Sequence, residues 1–148
     1  MGLFDKIPSS GGGKPVLLSK AEAFAGIMLA VMNADGDIAD EEFVAFQAVI
    51  ARLPFFKEQS GEEHTAMTDK LLAIMEKNNA GYLLTKSAEA LPHEYREAAF
   101  AVATDLVFSD GNIADEEKAI LEQAQRNLQI SDELAGQIVR VMEIKYRS

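Results

Sequence analysis

The string Asp35-Gly36-Asp37-Ile38-Ala39-Asp40-Glu41-Glu42 returns 75 positions later as Asp110-Gly111-Asn112-Ile113-Ala114-Asp115-Glu116-Glu117, with seven of its eight residues identical. The match extends more loosely outward. Apolar Ala23–Met32 faces the similar 98–107, Phe46 falls on Leu121, and Leu53 falls on Leu128. The repeated unit is therefore an apolar helix, a tight acidic turn and an amphipathic helix. A helix apolar on nearly every side, as Ala23–Met32 is, belongs in the middle of a bundle. The arrangement predicted is an all-α single domain in which two such hairpins, approximately 19–55 and 92–130, are related by a pseudo-twofold with their apolar helices at the centre. Two copies at so long a period are too few for a solenoid.

The punctuation of the chain is helical throughout. Ser19 with Glu22 and Ser60 with Glu63 have the spacing of capping boxes, in which the Ser oxygen takes a free first-turn amide and the Glu reaches back. Pro92 suits a helix start, and Ser131 opens the last helix. Met67, Leu71, Ile74 and Met75 share one helical face, as do Leu134, Ile138 and Val141, and no run alternates as a half-buried strand would. About seven helices are predicted, over 19–34, 39–53, 61–77, 80–91, 92–108, 114–129 and 131–146. Residues 1–15, with two prolines around three consecutive glycines, are expected to form a flexible leader to a domain spanning 16–148.

At 148 residues and 48% hydrophobic content, the chain is long enough to bury a core without covalent staples. It has no cysteine, so a disulfide framework, a thiolate metal site and a cysteine nucleophile are all excluded. Its start lacks a basic segment followed by an apolar one, so a cytoplasmic location is expected. The longest apolar stretch, Ala23–Met32, is far shorter than the roughly 20 residues of a membrane-spanning helix, so no direct membrane span is expected. A net charge of −10 with no dense Lys or Arg cluster opposes phosphate backbones. Nucleic acid is thus an unsuitable partner, whereas cations and basic protein surfaces are suitable ones.

Within each acidic string, Gly36 and Gly111 are expected in the left-handed conformation that lets a helix end, and Ala39 and Ala114 precede the next helix. Asp40, Glu41 and Glu42, and their counterparts 115–117, then lie in a first turn, where the helix dipole favours negative charge. Capping and dipole compensation are the plain structural account of these residues. Density argues for more. Asp35, Asp37, Asp40, Glu41 and Glu42 put five carboxylates in eight residues, and a bound cation relieves their repulsion. Hard oxygen donors without Cys or His suit calcium, magnesium or manganese. The candidate ligands are Asp35, Asp37, Asp40 and Glu42 in the first copy and Asp110, Asp115 and Glu117 in the second. An EF-hand loop does not fit. With Gly36 at the sixth position, the first and third hold Val31 and Asn33, and in the second copy Leu106 and Phe108. Any metal must use another geometry, such as Asp35, Glu42, Asp110 and Glu117 converging across the pseudo-twofold.

Other positions carry less. Asp105 interrupts an apolar helix and must face solvent or join the acidic cluster. His64 and His93 stand near no Ser or paired His in sequence and read as surface residues, and the methionines fall on apolar helical faces as core filler. No nucleophile or triad is defined, so no enzymatic activity is expected. Carboxylates with a metal could still hydrolyse phosphoesters.

The apolar helix followed by residues 33–42, its second copy in residues 108–118, and more weakly the opening Phe4-Asp5-Lys6, resemble the TerB-like family, which includes the bacterial tellurite-resistance protein TerB and a domain of DjlA-type co-chaperones. The resemblance covers most of 19–130. It implies a pseudo-twofold helical bundle, a bacterial role in tellurite resistance and related stress, no established enzymatic activity, and partners among the proteins of a stress-response complex, including one at the inner membrane. It places the functional surface on Asp35, Glu42, Asp110 and Glu117, with Asp37 and Asp40 beside them. Ala39 and Ala114 depart from the Ser or Asp that can cap the second helix in relatives, which leaves capping to neighbouring carboxylates.

Overall fold

The computed structural model describes residues 16–34, 36–109, 111 and 113–147. The expected leader 1–15 lies outside them, as do Asp35 and Asp110. Among them seven α-helices follow in chain order: α1 Lys20–Met32, α2 Asp40–Arg52, α3 Gly61–Lys77, α4 Ala80–Ala90, α5 Arg96–Phe108, α6 Asp115–Leu128 and α7 Asp132–Lys145. Two 3-10 turns, Pro54–Phe56 and His93–Tyr95, precede α3 and α5. No strand occurs among the described residues, and no helix among them is long and apolar enough to cross a membrane.

The caps explain why the helices start where they do. Ser19 Oγ accepts from Glu22 N–H while Glu22 accepts from Ser19 N–H, and Ser60 and Glu63 make the same reciprocal pair. Ser131 accepts from Leu134 N–H at the head of α7. Asn79, with no sequence signal assigned to it, caps α4 by accepting from Tyr82 N–H at 2.7 Å.

The centre of the bundle is α1. Every residue from Ala23 to Met32 is buried, because α4 lies along it and α5, α3, α6 and α2 close the remaining sides. Gly26 permits the approach of α4: a Cβ there would overlap Ser87 Oγ and lie 3.3 Å from Ser87 Cβ. Phe24, Phe46 and Phe100 are fully enclosed, each contributing about 2–3 kcal/mol of burial. At the N-terminal end of α1, Phe55 meets Tyr95 edge-on at 4.7 Å and lies tilted against Phe24 at 5.2 Å, which joins the two 3-10 turns. That packing accounts for one difference from the expected helix 92–108. Pro92 opens the tighter turn His93–Tyr95, and α-helical geometry begins only at Arg96.

The second apolar helix, α5, packs against α1 but keeps Glu97 and Ala98 at the surface. Its outer side is met by α7, which packs chiefly on α5. The link is Asp105, which is partly exposed and finds its partners outside the acidic turns. It accepts from Lys145 Nζ at 2.9 Å and from the Tyr146 hydroxyl.

Candidate binding site at the acidic turns

The described residues of the two acidic strings have matching backbones at the glycine and at the helix start. Gly36 has φ +93° and Gly111 φ +83°, and their N–H groups donate to Asn33 and Phe108 carbonyls, each at 3.1 Å. A Cβ at either glycine would meet no neighbour, so backbone conformation alone requires glycine there. Ala39 and Ala114 are the N-caps of α2 and α6, with nearly equal extended backbones. Lacking a side-chain acceptor, each leaves half of a capping box. Glu42 accepts from Ala39 N–H at 2.8 Å and Glu117 from Ala114 N–H at 2.9 Å.

Capping thus accounts for two of the seven sequence-predicted site residues. Glu42 and Glu117 are half-buried and bonded back to their own helix starts. Asp37, Asp40 and Asp115 are exposed, as are the neighbouring Glu41 and Glu116. Asp115 lies 4.0 Å from Lys118 in a surface pair of small energetic weight. Asp35 and Asp110 lie outside the described residues. Among the described residues, no group of three or more Asp, Glu or His side chains is placed to hold a metal ion. His64 and His93 line neither turn.

Beyond the local fold, the surroundings of the two turns differ. The first opens onto a groove of about 980 Å³ between the turn, α2, α3, the start of α4 and α6. Asp37, Asp40 and Glu76 stand around it, and Ile38, Phe43, Val44, Leu72, Met75 and Ile120 supply apolar surface. Asn33 also lines it, with its Oδ1 buried and without a hydrogen-bond partner. Glu76 was missed by sequence reasoning. It belongs to α3, and no local spacing ties it to a turn some forty residues earlier. The second turn, by contrast, is walled by α7. Gly111 and Ile113 share a cleft of about 400 Å³ with Arg140, Glu143, Tyr146 and Arg147. The described residues of the two turns share no cleft.

A family model described as tellurite resistance protein TerB matches residues 21–139. The chain belongs to the TerB family. The TerB match runs from the first turn of α1 into α7, so both acidic turns and the groove lie within it. No curated protein and no solved structure matches the chain.

Proposed function

We propose that this TerB-family chain is a non-enzymatic binding module of a bacterial stress response, which uses its acidic turns to hold a divalent cation or a basic surface of a partner in a cytoplasmic or membrane-peripheral complex. One observation supports this most directly. Capping of α2 and α6 involves Glu42 and Glu117, and Asp40, Glu41, Asp115 and Glu116 are exposed in the first turns of the same helices. The ligand is cationic. A net charge of −10 repels an oxyanion such as tellurite, and nothing in either turn would recognise one. A cation at the first turn would draw on Asp35 as well as Asp37 and Asp40, with water completing a hard-oxygen shell of calcium, magnesium or manganese.

Calorimetric titration with calcium, magnesium and manganese at moderate salt tests the cation. Heat and an upward thermal shift are expected, both reduced by Asp37→Asn with Asp40→Asn. Absence of both with all three metals removes the cation from the proposal. A second reading, an adaptor of co-chaperone type that docks through helical faces, draws on the exposed Val141 and Ile144 of α7. Salt separates the two, because binding at the acidic turns weakens with screening and apolar docking does not. A metal-dependent hydrolase is the least supported reading, and generic phosphoester substrates with manganese would expose it.

A further inference from the structure

Each turn opens onto a cleft walled by a helix, α3 at the first and α7 at the second, and the two walls differ in charge. At the second, Arg140 and Glu143 of α7 and the following Arg147 line a cleft with Gly111 and Ile113. The corresponding Gly36 and Ile38 line the larger groove at the first turn, where α3 supplies Leu72, Met75 and Glu76 and, among the described residues, no Lys or Arg stands. We infer that the first-turn groove is the docking site for a basic amphipathic helix of a protein partner. The assignment rests on the acidic-turn reading above and narrows it to one turn, one groove and one partner class.

Charge and surface both point to this occupant. Among the described residues no Lys or Arg lines the groove, whereas Arg140 and Arg147 line the cleft at the second turn. Asp40 and Glu76, on α2 and α3, place negative charge where flanking Lys or Arg side chains would lie. Val44 is 66% exposed on a helix face whose neighbour Phe43 turns toward the core, and Leu72 and Met75 continue the apolar surface from α3. Apolar anchors spaced i, i+3 or i+4 and i+7 would lie along this floor, as in other helix-in-groove complexes. The unpartnered Asn33 Oδ1 adds an acceptor beneath the rim.

The test is an unbiased peptide selection. A displayed random-peptide library is panned on the full chain, and the strongest peptides are made as free, labelled probes for anisotropy titration. Enriched peptides are expected to combine apolar residues at helical spacing with flanking Lys or Arg. Their affinity is expected to fall at least about tenfold with Val44→Glu, an exposed position whose substitution leaves the melting curve in place, and also with Asp40→Asn plus Glu76→Gln. Asp115→Asn with Glu116→Gln should leave affinity unchanged. No enrichment, or enrichment of acidic peptides, overturns the inference. Basic peptides that ignore Val44→Glu but are lost with the second-turn variants also overturn the groove, while leaving the acidic-turn reading standing. A dimer in sedimentation that Val44→Glu abolishes would assign the groove to a second copy of this chain and overturn the partner-protein assignment. If neither peptide nor cation binds, both readings fall together.

Discussion

Gly26 and Ser87 meet where α1 and α4 lie against each other in the core. Ser87 is fully buried and its hydroxyl has no hydrogen-bond partner, so it contributes a small volume more than a polar contact. Gly26→Ala is expected to lower stability by about 1–3 kcal/mol in denaturant unfolding, through overpacking against Ser87 and against Leu71 Cδ2 at 3.4 Å. Ser87→Ala alone should change little, and the double variant should recover part of the loss, since the Oγ overlap disappears while the 3.3 Å approach to Cβ persists. Simple additivity would contradict this packing. Sequence distinguished the glycines unequally. Gly36 and Gly111 stand in acidic turn strings that require a positive φ, and both were legible. Gly26 sits in an apolar run, and only the position of α4, some sixty residues onward, gives it a role.

At the scale of elements, the half capping boxes at α2 and α6 make a testable statement about which carboxylates are structural. Ala39→Ser and Ala114→Ser would supply the missing acceptor to the third-residue amide, and each is expected to raise stability by about 0.5–1 kcal/mol, read as a shift in denaturation midpoint. If Glu42 and Glu117 were instead committed to another ligand, the serine would gain little, because the reciprocal half of the box would be absent. Helix positions were readable because capping and periodicity are local. The expected helix start at Pro92 was less so. The tighter turn His93–Tyr95 answers to the contact of Tyr95 with Phe55, forty residues away. Asp105 illustrates the same limit, since its partners Lys145 and Tyr146 belong to an element that sequence spacing does not place beside it.

For the molecule as a whole, pH acts through contacts that join distant helices. The hydrogen bond to Asp105 raises Lys145 above its ordinary 10.5, and burial, with Asp105, raises Tyr146 above 10.0. A raised value in the fold means that the stabilisation is complete below the unfolded value and is lost as pH climbs through the folded one. Docking of α7 is therefore expected to weaken as pH rises above about 10. The drop in urea midpoint between pH 8 and 11 should be smaller in Tyr146→Phe than in the parent chain, and equal drops would exclude the clasp. On the acid side, burial pushes Glu22 up, but the Ser19 amide and Lys70 outweigh it and hold the group below 4.5. Its contribution is present above that value and is lost as pH falls through the lowered one. The same long-range assembly explains why the groove was not legible. Asp37 and Asp40 announced themselves in the acidic string, but Glu76, Leu72 and Ile120 reach the first turn only through the packing of α3 and α6.

The enclosure of α1 also bears on how the chain is made. Its ten-residue apolar surface is made before every helix that covers it, and those helices run to Leu128. Until α6 has been made the nascent polypeptide therefore carries a bare greasy segment that local contacts alone cannot hide. The distance in sequence between α1 and its wrapping helices delays closure and lengthens the interval in which misassociation competes with folding. A ribosome-bound chain arrested before α4 should thus be captured by hydrophobic holdases through Ala23–Met32, and one arrested beyond α6 should not.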